Sequence, residues 1–237
     1  MASAIRKGYL VLYNAASAGA WARILFRVAS VYFAHGATAV PPVVEDFARV
    51  TQTFAVMEIF HALTGAFRQL FTPNPPSMLL PLPGPFTRSI VPAPLFTTVM
   101  QVASRLMLVW GICFPFPHLN VSTWYSSMLT AWSTTEVIRY TYFALKQFDF
   151  IPYWLHWLRY SAFLVLYPMG ISSEVAMIIK AYLGPAVSLA NWYPWALVAV
   201  LLSYIPGSFV LYTHMLKQRK KQVGGVAGAA KKAKKSQ

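Results

Sequence analysis

RYSAFLVLYPMGISSE, residues 159–174, places a phenol, Tyr167, and a carboxylate, Glu174, in a largely apolar run. An apolar run of this kind favours a helix that crosses a membrane, where a carboxylate is costly unless it is paired or faces a cavity. Such a residue is by default a candidate for a functional site. Tyr167 precedes Glu174 by seven residues, about two helical turns, so both side chains can lie on one helix face. A phenol and a carboxylate together can act as an acid/base pair.

The composition of the whole chain favours a membrane protein. Of its 237 residues, 57% are hydrophobic and 11% are charged, which is more apolar than an ordinary soluble domain. The apolar run near the N-terminus extends beyond the length of a signal peptide, so we expect it to be a retained first span. The single cysteine, Cys113, cannot form an internal disulfide bond.

Six apolar stretches predict helices that cross the membrane. The predicted fold is therefore an all-α, polytopic membrane protein with both termini on one side of the membrane. In the fifth stretch, Pro168 and Gly170 are expected to kink or stop the helix, which then resumes. In the sixth, Pro206 and Gly207 predict another kink. The predicted helices are 8–29, 50–71, 95–114, 121–145, 153–183 and 192–216.

Basic residues are concentrated at the C-terminus. The net charge is +14, and eight of the 20 Lys and Arg residues follow residue 216. A basic tail after an apolar span is typical of a cytosolic end, so both termini are predicted to be cytosolic. The tail could contact anionic lipid, and we do not take its charge as a signal for nucleic acid.

The chain is predicted to have two parts. Residues 1–216 are expected to form a six-helix domain that includes a proline-rich loop at 72–94, and residues 217–237 a flexible basic tail with a Gly/Ala-rich stretch at 223–230. The last four residues, Lys234-Lys235-Ser236-Gln237, resemble the dilysine retrieval signal of endoplasmic reticulum membrane proteins. The alternative is a basic tail that ends in two lysines by chance.

Several polar residues lie inside the other predicted spans. Glu58 and His61 share one helix face, and Glu-x-x-His is half of a carboxylate di-metal site. Because the second copy that such a site requires is absent, we favour a buried hydrogen-bonded pair and no metal. Glu136 and Arg139 can pair across one turn, either as a structural ion pair or as a contact to substrate.

Two arginines, Arg105 and Arg159, have no obvious local partner. Each could meet a carboxylate from another helix or a phosphate of a ligand. The auxiliary or structural polar candidates are Glu58, His61, Gln101, Arg105, Glu136, Arg139, Arg159 and Tyr160.

The residues exclude several other chemistries. A membrane di-iron desaturase needs clustered histidines, and the five histidines here are scattered. Cys113 has no base at nucleophile spacing, and the Gly-x-Gly-x-x-Gly typical of a nicotinamide reductase is absent. Chemistry that needs only acid and base groups remains.

A set of short stretches, spread over about residues 9–215, matches one family when taken together and in order. The stretches are YLVLYN at 9–14, MEIFHALTG at 57–65, TVMQV at 98–102 with Ser104 and Arg105, AWS at 131–133 with Glu136, Ile138, Arg139 and Tyr140, LRY at 158–160, and LYPMG at 166–170 with Glu174. In these stretches the chain resembles the membrane 3-hydroxyacyl-CoA dehydratases of very-long-chain fatty acid elongation, the tyrosine-phosphatase-like A family. The proline-rich loop departs from the family, in which this connection is usually shorter.

The resemblance implies a reaction at the endoplasmic reticulum membrane. Water would be removed from a (3R)-3-hydroxyacyl-CoA to give the trans-2-enoyl-CoA, the third step of the elongation cycle. The resemblance assigns Tyr167 and Glu174 as the catalytic pair. Which of the two is the base stays open; we favour Glu174, with Tyr167 donating to the leaving hydroxyl or polarising it.

The resemblance also implies what the protein binds. The long or very long acyl chain of the substrate would lie in an apolar groove, and the CoA phosphates near Arg and Lys at the cytosolic face. No metal or redox cofactor is required. The implied partners are membrane lipid and the other elongase enzymes, a condensing enzyme and reductases. The alternative is a non-enzymatic scaffold or a lipid transporter of the elongation system.

Overall fold

The computed structural model of the chain describes residues 2–71 and 93–235. Within these ranges the chain is helical and has no β-strand, which confirms that the fold is all-α. A π-helix at Met107–Cys113 continues the fourth helix, and short 3-10 turns lie at Ala37–Ala39 and Pro117–Leu119. The helices are α1 (Ala2–His35), α2 (Pro41–Phe54), α3 (Val56–Phe71), α4 (Ala93–Leu106), α5 (Thr123–Lys146), α6 (Tyr153–Ser161), α7 (Phe163–Leu183), α8 (Ala186–Leu189) and α9 (Tyr193–Lys235).

The described residues form two compact units. One comprises those of Met1–Ala48 and Phe116–Gln237, and the other those of Arg49–Pro115. The first unit therefore contains α1 and α5 to α9, and the second contains α3 and α4.

In the first unit, α1 packs antiparallel against α5. The ring of Tyr13, near the start of α1, meets the ring of Tyr140, near the end of α5, with centroids 6.2 Å apart. Six residues before Tyr13 on α1, the Lys7 ammonium lies 5.6 Å from the ring centre of Phe148, just beyond the end of α5. Apolar side chains fill the interface because each helix buries one stripe. The most buried of them are Trp21, Ile24 and Val28 on α1, and Met128, Leu129 and Trp132 on α5.

Small residues bring α5 close to α7. A Cβ added at Gly170 would lie 3.6 Å from the Cβ of Ala131, and the Ser173 hydroxyl donates to the Ser127 hydroxyl at 2.9 Å. Small residues at a helix contact let two backbones approach closely, as at many helix interfaces in membranes. We call this contact, formed by Ser127, Ala131, Gly170 and Ser173, the small-residue seam.

Two stretches of the described chain are long and apolar enough to cross a membrane. They are Tyr153–Leu183, which contains α6 and α7, and Tyr193–Val223 of α9, with mean hydropathies of 1.7 and 1.8. Large apolar side chains of α9 point away from the protein, as is expected of a helix that faces lipid. Leu202, Ile205 and Phe209 are 62%, 71% and 71% exposed.

In the second unit, α3 packs against α4. The Arg49 guanidinium lies over the rings of Trp110 and Phe114, 5.7 and 4.7 Å from their centres. The Trp110 indole donates to the Thr53 hydroxyl at 3.0 Å. These contacts join the end of α2 to the π-helix.

Several predicted helix boundaries are wrong. The stretch predicted as one helix at 50–71 is divided at Ala55 into α2 and α3. α2 begins at Pro41, and proline is favoured in the first turn of a helix. The predicted sixth helix does not end at residue 216, since α9 continues to Lys235. The flexibility predicted for 223–230 stays a prediction. The predicted loop at 72–94 lies outside the described residues except for 93 and 94, which belong to α4.

Pro168 is predicted to kink or stop the fifth helix; it does not stop it, because it lies inside α7. The helix is interrupted at Ala162 instead, on the N-terminal side of the proline. Neighbouring helices can hold a membrane helix together across a proline, and α5 and α9 pack on α7 here.

Candidate active site

The carboxylate of Glu174 is held by donors from two other helices. Trp132 of α5 donates its indole N–H to Oε1 at 2.7 Å. Tyr204 of α9 donates its hydroxyl to Oε2 at 2.8 Å. Hydrogen bonds to a carboxylate are short and strong, so the two donors fix the orientation of Glu174 between α5 and α9.

Tyr167 lies two turns before Glu174 on the same helix. Its hydroxyl donates to the backbone carbonyl of Ser208 on α9 at 3.2 Å, which is long for an O–H···O bond. Its ring stacks on that of Tyr212, with centroids 5.8 Å apart and planes 28° apart. The ring is therefore fixed, while the hydroxyl can exchange a weak acceptor for a better one.

α7 presents both side chains to α9, as the seven-residue spacing predicts. Tyr167 and Glu174 are separated by about 10 Å along the helix axis. Tyr167 contacts Ser208 and Glu174 contacts Tyr204, so both side chains meet α9.

The part of α9 that contacts Tyr167 and Glu174 contains a proline and a glycine. Pro206 and Gly207 lie between Tyr204 and Ser208, the two residues that contact the site. Pro206 has no backbone N–H for the carbonyl four residues before it. The Ser208 hydroxyl hydrogen bonds to the backbone carbonyl of Tyr204, two residues before Pro206. The kink that the sequence predicts near Pro206 stays a prediction.

Trp132, Tyr204 and Ser208 were missed as site residues by the sequence analysis. Trp132 belongs to the AWS stretch, but nothing in its surroundings on α5 identifies a partner 42 residues away. Tyr204 is a phenol in an apolar span, and a buried phenol usually has a hydrogen-bond partner. That signal could have marked Tyr204 as polar and functional, although not as a donor to Glu174.

Glu136 and Arg139 form the ion pair that the sequence allows. Nη2 of Arg139 lies 2.5 Å from Oε2 of Glu136, and Nε donates to the same oxygen at 2.7 Å. The Glu136 side chain is 4% exposed and that of Arg139 is 19% exposed. The Arg139 guanidinium also lies 4.5 Å from the centre of the Tyr140 ring.

We expect Glu136→Gln to reduce stability more than turnover. The change leaves the Arg139 charge without its carboxylate in a buried place, and breaking such a pair costs about 3–5 kcal/mol. Thermal unfolding and protein yield in detergent measure the effect, with Glu45→Gln on α2 as the matched control. Normal yield with lost turnover at saturating substrate would instead place Glu136 in the reaction.

Arg159 and Tyr160 lie at the end of α6, beside α5. The Arg159 guanidinium is 5.8 Å from the ring centres of both Phe143 and Tyr160. The Tyr160 ring also contacts His156, with centroids 4.9 Å apart. Among the described residues, Arg159 makes no hydrogen bond or ion pair through its side chain.

A cavity of about 430 Å³ lies between α1, α5, α6 and α7. Its walls are almost wholly apolar, with two hydroxyls, those of Thr134 and Ser161. Ser161 also accepts a hydrogen bond from Nε of Arg219 on α9, at 3.1 Å. The lining residues are Leu25, Thr134, Val137, Ile138, Trp157, Leu158, Ser161, Ala162, Val165 and Leu166.

Four of the predicted auxiliary residues belong to the second unit. Glu58 and His61 interact electrostatically on α3, and the described residues offer no third His, Cys, Asp or Glu that would complete a metal site with them. Gln101 is exposed on α4, where its backbone carbonyl accepts a hydrogen bond from the Ser104 hydroxyl at 3.1 Å. Arg105 lies in the last turn of α4.

Comparison with known proteins gives a consistent result. A family model described as "Protein tyrosine phosphatase-like protein, PTPLA" matches residues 87–225. "Very-long-chain (3R)-3-hydroxyacyl-CoA dehydratase PASTICCINO 2B" of Oryza sativa subsp. japonica is 36% identical over 240 residues, 96% of this chain and 98% of the relative. No solved structure matches the chain.

Relatives from a yeast and an animal have similar names. "Probable very-long-chain (3R)-3-hydroxyacyl-CoA dehydratase" of Schizosaccharomyces pombe is 37% identical over 228 residues, 93% of this chain and 95% of the relative. "Very-long-chain (3R)-3-hydroxyacyl-CoA dehydratase 2" of Homo sapiens is 30% identical over 226 residues, 90% of this chain and 80% of the relative. The similarity therefore extends over most of each chain.

Proposed function

This chain belongs to the protein tyrosine phosphatase-like family, and from that membership we propose that it is a very-long-chain (3R)-3-hydroxyacyl-CoA dehydratase. It is a hydro-lyase that converts a (3R)-3-hydroxyacyl-CoA to the trans-2-enoyl-CoA and water. The support is that relatives from plants, yeast, worm and human have this name and match nearly the whole chain at 30–37% identity. The reaction serves fatty acid elongation.

We propose Tyr167 and Glu174 as the catalytic pair. Glu174 removes the proton on C2, which the thioester makes acidic, while the bond between C3 and its hydroxyl oxygen breaks. Tyr167 gives its proton to the leaving hydroxyl, so that water is released and the double bond forms between C2 and C3. The proton on Glu174 then returns to the Tyr167 phenolate through water, and both groups are restored.

One observation carries this assignment: Glu174 and Tyr167 lie on the face of α7 that contacts α9, and each makes a hydrogen bond to α9. Trp132 of α5 and Tyr204 of α9 hold the two oxygens of Glu174, so little reorganisation is needed when a substrate arrives. The weak bond from Tyr167 to the Ser208 carbonyl can be replaced by one to the substrate hydroxyl.

The direct test uses the purified full chain in detergent. Incubation with (3R)-3-hydroxyacyl-CoA of long and very long chain should give trans-2-enoyl-CoA, detected by mass spectrometry, while the (3S) isomers serve as the control. A folded, monodisperse protein that forms no enoyl product from any chain length would leave the alternative, a non-enzymatic scaffold or lipid transporter of the elongation system. Co-purification with a condensing enzyme and reductases is expected in either case.

We propose that residues 1–216 cross the endoplasmic reticulum membrane six times, with both termini in the cytosol, and that 217–237 form a cytosolic tail. The spans are α1, α2 with α3, α4 with the π-helix, α5, α6 with α7, and α9. Antiparallel packing places Lys7, Lys146 and Arg219 toward one end of the first unit, and an excess of Lys and Arg is typical of the cytosolic side.

We expect replacement of Lys234 and Lys235 by Ser to let part of the protein leave the endoplasmic reticulum, because the dilysine-like end would be lost. A tag inserted before residue 217 keeps the C-terminus free, and imaging against compartment markers measures the change. Lys231 and Lys232, replaced in the same way, remove equal charge and should have no effect. Protection of the tail from protease in intact microsomes would contradict the topology and the retrieval signal together.

A further inference from the structure

Two arginines lie near Phe143, where α5 meets α6. Arg139 and Phe143 are one turn apart on α5, on one face of the helix. The Arg159 guanidinium lies over the Phe143 ring, 5.8 Å from its centre. Lys146 continues the same face of α5 to its last turn. We call Arg139 and Arg159 the arginine pair.

The arginine pair carries two positive charges, and Glu136 forms an ion pair with Arg139 at 2.5 Å. Arg159 is partly buried beside aromatic rings, and among the described residues its guanidinium has no ion pair or hydrogen bond. Guanidinium donors arranged in a fork match phosphate oxygens in geometry and charge. One phosphate could therefore accept hydrogen bonds from both arginines.

The position of the pair relative to Glu174 fits a substrate with a remote phosphate. Trp132, which holds Glu174, is seven residues before Arg139 on α5, about 10 Å along the axis. The offset runs toward the end of the unit where Lys7 contacts Phe148 and where Arg219 contacts Ser161. In an acyl-CoA, the phosphates lie at the far end of the pantetheine arm from the thioester.

We propose that Arg139 and Arg159 bind a phosphate group of coenzyme A, with Glu136 positioning Arg139 for this contact. The proposal rests on the proposed dehydratase function for the identity of the phosphate. The same chemistry would suit the headgroup of an anionic phospholipid, and we commit to coenzyme A because Arg139 lies on α5, the helix whose Trp132 donates to Glu174.

The test compares two substrates with one acyl chain, the 3-hydroxyacyl-CoA and the 3-hydroxyacyl-pantetheine, which has no phosphate. In the wild-type protein, kcat/KM should be higher for the CoA thioester by about tenfold or more, the effect expected of hydrogen bonds between charged groups. Arg159→Gln should remove this preference by raising KM for the CoA thioester. It should leave kcat, and both constants for the pantetheine thioester, within about twofold of wild type.

Two further variants separate the binding role from folding. Arg159→Lys keeps the charge but not the fork, so it should retain part of the preference. Arg27→Gln removes an exposed arginine of α1 and should leave the preference unchanged. In detergent, all variants should have the elution volume and the melting temperature of the wild type. An Arg159→Gln variant that loses activity equally on both substrates, or on neither, would overturn the proposal.

If the wild-type protein dehydrates neither substrate, the proposed function fails, and thermal shifts still decide the phosphate site. Coenzyme A, and not pantetheine, should then raise the melting temperature of the wild type but not of Arg159→Gln. The same assay with phosphatidylglycerol distinguishes the other source of phosphate. Stabilisation by phosphatidylglycerol that Arg159→Gln abolishes, without any response to coenzyme A, would make the pair a lipid site and contradict the proposal.

Discussion

Glu174→Gln is expected to lower the rate of dehydration by about 10²–10⁴-fold, the usual contribution of a positioned acid/base group. An amide cannot take the C2 proton, but it can fill the space of the carboxylate. Its oxygen can still accept from Trp132, which is only a donor. Its NH2 can donate to the hydroxyl of Tyr204, which is both a donor and an acceptor. The variant should therefore fold and insert as the wild type does.

The measurement is enoyl-CoA formation by purified protein at saturating substrate, with thermal unfolding recorded on the same sample. Trp132→Phe tests the neighbouring contact, because it removes the indole donor and leaves Glu174 in place. Its loss of rate should be smaller than that of Glu174→Gln. A Gln variant that keeps more than about a tenth of the wild-type turnover would show that Glu174 is not the acid/base group.

Tyr167→Phe should lower turnover by about 10²-fold or more, because it removes the proton donor to the leaving hydroxyl. The ring and its stacking on Tyr212 stay, and only the weak hydrogen bond to the Ser208 carbonyl is lost. A folding defect is not expected from a change that conserves volume.

Tyr212→Phe is the matched control for this variant. It makes the same chemical change in the ring that stacks on Tyr167, and its turnover should stay close to that of the wild type. Comparable losses in both variants would mean that the tyrosines act through packing. Full activity of Tyr167→Phe would remove Tyr167 from the catalytic pair.

The sequence predictions that the structure confirms follow from the spacing of residues along one helix. Glu136 and Arg139 are three residues apart and form an ion pair, because such residues are neighbours on any helix. Tyr167 and Glu174 both face α9 for the same reason. The all-α class follows equally from long apolar stretches without strand periodicity.

What the sequence could not predict depends on contacts between distant segments. The donors to Glu174 are 42 and 30 residues away, and no local pattern identifies them. The interruption at Ala162 has neither glycine nor proline to mark it, whereas Pro168, which does signal a break, lies within α7. Helix packing decides both outcomes, and a single sequence contains no direct measure of it.

The small-residue seam limits how this protein can be altered. A side chain larger than alanine at Gly170 would meet Ala131, so it would push α7 from α5 and separate Glu174 from the indole that orients it. The contact between α5 and α7 is thus sensitive to substitution. α9 can tolerate change at its lipid-facing positions, such as Leu202, Ile205 and Phe209, whereas its Tyr204 contacts Glu174. Attempts to engineer a different substrate range should therefore leave the seam intact.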